Sequence, residues 1–296
     1  MRLRDIYAQP GVKLSIEFFP PKTAEGVKKL MEEAEALSAL RPNYCSVTYG
    51  ATGSTRDTTV EMVERIHLER GLDVMCHLTV VGQSKDDVRM VLADLKRRGI
   101  ENIIALRGDP PRGEVEWQPH PDGFLYSVDL VREARRLDWF SIAVAGFPET
   151  HPQAESADAD LRFLKEKVDA GADVVITQLF FDNMDYRRFV ERCRQMGVTV
   201  PIVPGIMPVL SSSQITRITT LCGAKIPPKL QGLLDRVAGD DEAAVRLGID
   251  YATEQVADLI DYGVPGIHFY ALNRSRSTTA VLENLGLTQA DRRAAL

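Results

Sequence analysis

Glu17 stands in the stretch Lys13–Pro21, KLSIEFFPP, among the apolar residues Leu14, Ile16, Phe18 and Phe19. A carboxylate in such a run must be paired, hydrogen-bonded or neutral, because burying a bare charge is too costly. Burial raises a carboxyl pKa, so Glu17 is expected to be able to hold a proton near neutral pH. The competing reading is a strand-end Glu paired to an Arg or Lys. A second carboxylate, Asp109, lies in Arg107-Gly108-Asp109-Pro110-Pro111. There Gly108 permits close backbone approach and Asp109 presents an anion; the plainer alternative is a turn with a local Arg–Asp pair. His77 reads as a ligand contact or a satisfied interior histidine, and Gln178 as a ligand contact or a partner of nearby backbone. Arg274 suits a carboxylate or is a solvated loop charge.

Other chemistries find less support. The histidines His67, His77, His120, His151 and His268 show no HxH or HExxH spacing, and Cys45, Cys76, Cys193 and Cys222 form no CxxC pair. Metal chemistry is therefore not expected. No GxSxG elbow is present for a serine nucleophile. Two carboxylates in a polar setting suit an organic cofactor that performs the hard step while the protein supplies acid and orientation.

Apolar β-rich runs alternate with helix-period segments. Strands are expected at Lys13–Pro21, Tyr44–Tyr49, Asp73–Val81, Asn102–Leu106, Phe140–Gly146, Asp173–Phe180, Val200–Pro204 and Gly266–Tyr270. Helices are expected between them, with Thr23, Ser84 and Ser156 as N-caps and three helical patches between the seventh and eighth strands. Continuous apolar strands between helices indicate a parallel sheet, and eight such units predict a single (β/α)8 TIM barrel over 1–296 with extra helices before the last strand. An open doubly wound sheet is the alternative, although no GxGxxG or Walker A motif occurs. In a barrel the site lies at the C-terminal strand ends. Those ends collect Glu17, Thr48-Tyr49, His77, Arg107–Asp109, Phe147–His151, Gln178, Pro204-Gly205 and Arg274.

The 296 residues carry a net charge of −6, which disfavours general nucleic-acid binding. The charged start MRLRDIYAQ does not look like a signal peptide, and no apolar run approaches a membrane span. A reducing cytoplasm is expected.

The motifs IEFFPP at 16–21, VTYGA at 47–51, CHLT at 76–79, ALRGDPP at 105–111, GFPETHP at 146–152, KVDAGAD at 167–173, TQLFFD at 177–182, PGIMP at 204–208 and HFYALNR at 268–274 occur in one order. Together they resemble the 5,10-methylenetetrahydrofolate reductase family, in its short bacterial form without a regulatory domain. The resemblance implies a flavin barrel that binds FAD non-covalently and is reduced by NADH or NADPH. It implies ping-pong reduction of the folate to 5-methyltetrahydrofolate, for methionine synthesis, by a homo-oligomer. It makes Glu17 the acid and Asp109 the electrostatic partner. Implied FAD contacts are Thr48, Tyr49, Ala51, His77, Arg107, Gly108, Asp109, Tyr126, Phe147, His151, Ala154, Asp160 and Lys167. Implied folate contacts are Gln178, Gln214 and Arg274. Three positions depart from relatives: Phe147 stands where Tyr is frequent, Ile218 where some carry a stacking Phe, and Glu166 where one carries Arg. Two rival readings are a cofactor-free lyase or aldolase using Glu17, and a folate-binding protein without turnover.

Overall fold

The computed structural model describes residues 1–21, 23–48, 56–109 and 119–287. Eight strands, β1 (Lys13–Phe18), β2 (Tyr44–Val47), β3 (Val74–Thr79), β4 (Asn102–Leu106), β5 (Ser141–Gly146), β6 (Val174–Leu179), β7 (Ile202–Ile206) and β8 (Gly266–Tyr270), pair in sequence order as a closed barrel. Every pairing is parallel, including β8 on β1, so all C-terminal ends share one mouth.

Period-two alternation gives each strand two faces. Ile16, Cys45, Cys76, Leu78, Ile103, Ile142, Val144, Val175, Ile267 and Phe269 point outward into the core shared with the helices. The helices are α2 (Ala24–Ser38), α3 (Arg56–Arg70), α4 (Lys85–Arg97), α5 (Ser127–Arg136), α6 (Ala157–Asp169), α7 (Asn183–Gln195), α8 (Ser212–Cys222), α9 (Pro228–Arg236), α10 (Asp241–Tyr262) and α11 (Ser275–Asn284). The expected caps are present: Thr23 accepts the Gly26 N–H, Ser84 forms a capping box with Asp87, and Ser156 accepts the Ala159 N–H. Among the described residues, no helix is long and apolar enough to cross a membrane.

The inward face is layered. Tyr44, Met75, Ile104, Ala143, Val174, Ile176 and Val203 fill the deep interior. Beneath them lies a helix that the sequence reading missed, α1 (Leu3–Ala8), whose Leu3 and Ile6 pack on this cluster and close the N-terminal end of the barrel. Nearer the mouth the inward residues turn polar, with Ser15 and Glu17 on β1, Ser46 on β2, His77 on β3 and His268 on β8.

One strand is offset from its expected place. β7 begins at Ile202 and runs to Ile206, so Pro204-Gly205 lies within the strand, not at its end. Pro204 has no N–H to donate, and the β6–β7 register shifts between Ile176 and Leu179. The Gly205 N–H is satisfied instead by Thr177 Oγ1 at 2.9 Å. The three helices α8, α9 and α10 fill the interval before β8, as expected, and α8 and α9 bury Ile215, Leu230 and Leu234 against Leu179, Phe181, Met207 and Val209.

Candidate functional site at the C-terminal mouth

Glu17 is the penultimate residue of β1 and is only 4% exposed. Its Oε2 lies 3.1 Å from His77 Nε2 and 3.4 Å from His268 Nε2, and Ser46 Oγ donates to it at 3.4 Å. The His268 contact is an aligned hydrogen bond. His77 Nε2, by contrast, has ion-pair proximity without hydrogen-bond alignment and is a buried polar atom with no aligned partner. Ser15 Oγ meets His268 Nδ1 at 2.8 Å, which fixes that ring from behind.

This cluster corrects the expected protonation of Glu17. Burial pushes the carboxyl up, but the nearby His77 imidazole and the hydrogen-bonded His268 outweigh it and hold it at about 2. Glu17 is paired, as the competing reading anticipated, but to two imidazoles and not to an Arg or Lys.

Asp109 lies beyond the end of β4 and is exposed at the same mouth. Its loop is tied to β3's exit: Arg107 O accepts the N–H groups of Val80 and Val81 at 3.1 and 2.9 Å. Gly108 has φ +87, and a Cβ there would meet Val81 Cγ1 at 2.5 Å, so this close approach needs glycine. Arg107 does not pair with Asp109; it reaches Gln153 Oε1 at 2.6 Å.

A second group sits after β5. Phe147 packs edge-on to His151 with ring centroids 4.6 Å apart. Asp160, in the first turn of α6, accepts the His151 N–H at 2.9 Å, and Ala154 closes the turn by donating to His151 O at 2.9 Å. Burial lowers the pKa of His151, with Asp160 opposing. Lys167 Nζ turns inward to Ala145 O at 2.7 Å. Burial lowers its pKa to about 8, again with Asp160 opposing. Thr150, between these residues, holds a left-handed φ of +79 without being glycine, the kind of backbone strain that clusters at functional sites.

The remaining expected contacts are more dispersed. Thr48 follows β2, and its N–H donates to Phe18 O at 2.8 Å. Tyr126 is the N-cap residue of α5 and is 57% exposed. Gln178, on β6, accepts the adjacent Leu179 N–H and borders a cleft with Phe147 and Glu149. Gln214 lies in the first turn of α8, where Ser211 caps its N–H. Arg274 is exposed at the start of α11. Its loop is held by Asn273, whose side-chain amide exchanges hydrogen bonds with the Phe19 backbone at 2.7 and 2.8 Å. Tyr49 and Ala51 lie outside the described residues.

The family model for methylenetetrahydrofolate reductase matches residues 2–286. The chain belongs to that family. It is 39% identical to a 5,10-methylenetetrahydrofolate reductase of Escherichia coli over 94% of this chain and 92% of that one. It is also 39% identical to methylenetetrahydrofolate reductase (NADH) 1 of Arabidopsis thaliana, over 97% of this chain but 50% of that protein. The chain thus spans about half the length of the plant reductases it matches. Among solved structures, a Clostridium thermocellum protein described as binding two copies of 5-methyl-5,6,7,8-tetrahydrofolic acid superposes with a TM-score of 0.64. That match has 14% identity and covers 99% of both chains, a likeness of fold.

Sequence reasoning gave no role to three residues of this reductase-family mouth: Ser15, Ser46 and His268. The available signal was alternation. Ser15 and Glu17 share the inward face of β1, and Ser15 is registered against His268 on β8. Those partners are more than 250 positions apart, and spacing along the chain does not reveal their contact.

Proposed function

We propose that this chain reduces 5,10-methylenetetrahydrofolate to 5-methyltetrahydrofolate by a ping-pong mechanism, using NADH or NADPH and a non-covalent FAD, and so supplies methyl groups for methionine synthesis. The observation that carries this reading is the buried Glu17 carboxylate at the barrel mouth, held between His77 and His268 in a chain of the reductase family.

The residues present fit a flavin. His77 Nε2 and Thr79 Oγ1 are buried at the mouth without aligned partners. Gly108 offers backbone at a point where a side chain would collide with Val81. Lys167 and His151 supply basic groups suited to a pyrophosphate, with Asp160 fixing the His151 backbone. When bound, FAD would accept a hydride from the nicotinamide and later deliver it to the methylene carbon of the folate.

The chain's own task is to make that carbon a hydride acceptor. The methylene is locked in a five-membered ring between two nitrogens, and one C–N bond must open to give an iminium cation. Glu17 delivers a proton to the departing nitrogen, a role typically worth about 10²–10⁴ in rate. Because Glu17 is held ionised before substrate arrives, that proton must first reach it from a neighbour. Asp109, exposed at the mouth, stabilises the developing cation electrostatically. The same negative charge disfavours an anionic reduced flavin and makes it a stronger hydride donor. Gln178 and Gln214 serve polar atoms of the pterin and benzoyl groups, and Arg274 serves the glutamate tail.

The test is an absorbance spectrum of the purified protein, followed by anaerobic addition of NADH and then of methylenetetrahydrofolate. A yellow protein that bleaches and then recolours supports the assignment. A colourless protein without NADH oxidation, even after FAD is supplied, favours a cofactor-free lyase.

A further inference from the structure

We infer that His268 is the positioning residue that holds the proton Glu17 delivers, its ring fixed for that purpose by Ser15. The inference rests on the folate-reductase reading and extends it to a residue outside the expected site.

The two imidazoles beside Glu17 are not equivalent. His268 is 1% exposed, and both ring nitrogens are engaged. Nδ1 meets Ser15 Oγ at 2.8 Å, and Nε2 makes an aligned hydrogen bond to Glu17 Oε2 at 3.4 Å. Tyr270 packs edge-on to the ring at 5.1 Å and is itself locked by its hydroxyl on Thr177 O at 2.8 Å. His77 Nε2 is close to the same carboxylate oxygen but unaligned, which leaves it available to a ligand in the mouth. A buried carboxylate facing an imidazole is stable when one proton lies between them. The surroundings add little competing charge. Tyr44 from β2 and Tyr270 from β8 are phenols whose pKa burial raises. Ser46 is neutral, and Lys13, on the same inward face of β1, turns its ammonium to Pro10 O.

The step balances with a single proton. His268 Nε2–H passes its proton to Glu17 Oε2. As the C–N bond of the folate opens, the Glu17 O–H bond breaks and an N–H bond forms on the departing nitrogen. One proton from solvent returns to His268 Nε2 after product leaves.

The experiment compares wild type, His268→Gln and Ser15→Ala by stopped-flow, following flavin reduction by NADH and reoxidation by methylenetetrahydrofolate separately across pH. In His268→Gln, flavin reduction should stay within about twofold of wild type while the folate step slows by about 10²-fold. The basic limb of the folate step should move to lower pH by about half a unit or more, because the cluster has lost a proton site. Ser15→Ala should move the limb the same way with a smaller loss of rate. A slower reaction with an unmoved limb in both variants would make His268 merely structural and overturn the inference. A second readout needs no cofactor: the ¹⁵N signals of the His268 ring in the flavin-free protein should shift when Glu17 is replaced by Gln at fixed pH. Unchanged signals would also overturn it. If His268→Gln fails to fold, Ser15→Ala and the ¹⁵N signals decide. A wild-type protein that never bleaches with NADH would defeat the reductase reading and this inference together; bleaching and recolouring with unmoved limbs defeats this inference alone.

Discussion

Glu17 Oε2 and His77 Nε2 stand 3.1 Å apart at the barrel mouth, contributed by alternate strands β1 and β3. Alternate strands fill each interior layer of such a barrel, so the contact follows from β1 and β3 both turning these residues inward. The carboxylate is thereby positioned against a buried imidazole by the fold itself.

Replacing Glu17 by Gln keeps the shape and removes the transferable proton. Folate reduction should fall by about 10²–10⁴ while NADH still bleaches the flavin at close to the wild-type rate. Single-turnover absorbance measurements of the two half-reactions check this. An equal fall in both would remove Glu17 from the acid role.

The same carboxylate contributes to acid stability. Its folded pKa, about 2, lies below the ordinary 4.5, so the fold favours the ionised form. The resulting stability is complete above the unfolded value and is lost as pH falls towards the folded one. Urea unfolding should therefore weaken more steeply over this acid interval in wild type than in Glu17→Gln. Parallel pH dependences would contradict the pairing.

Asp109→Asn removes an anion from the mouth. The flavin midpoint potential should rise, because reduction to an anionic flavin is no longer opposed, and folate reduction should slow as cation stabilisation is lost. Spectroelectrochemistry gives the potential, and an unchanged value would exclude the electrostatic role.

If Lys167 holds the pyrophosphate as proposed, cofactor binding should depend on pH. Burial lowers its pKa to about 8 from 10.5, and an anionic pyrophosphate favours the charged ammonium. FAD affinity should therefore fall as pH rises through about 8. Quenching of FAD fluorescence on either side of that pH measures the change, and Lys167→Met should flatten it. By linkage, the flavin-free chain should gain stability with rising pH between the two values, where the unfolded state binds more protons.

Gly205→Ala tests the packing behind the cluster. The new Cβ would lie 2.4 Å from Thr177 O and 2.6 Å from Tyr270 Cε2. The backbone contact has no rotamer to relieve it, so a loss of about 1–3 kcal/mol is expected. A shift in the urea midpoint reads it directly.

The barrel was legible because buried parallel strands are near-continuous apolar runs and their helices carry clear caps, as at Ser84 and Ser156. α1 was not legible: its six residues bury only Leu3 and Ile6, and no side chain caps it. The displaced end of β7 has a different origin. Pro204 reads as a stop, yet the β6–β7 register shift and the Thr177 hydroxyl accommodate it inside the strand. At the site, Glu17 was found from its apolar surroundings alone. Its charge state differs from expectation because His77 and His268 arrive from the third and last strands, contacts that spacing along the chain does not show. Gly108 has a positive φ and packs on Val81 where a side chain would collide, a local demand on one residue that its place in the Arg-Gly-Asp-Pro stretch signalled.

The helix beneath the barrel has a consequence for traffic. With Leu3 and Ile6 wedged against Tyr44, Met75 and Ile104, the far end is stoppered and the polar pit around Glu17 opens in one direction. Under the proposed function, reductant, folate and replacement water would all share that one entrance. Whatever occupies it shields Glu17 from bulk solvent until that occupant departs.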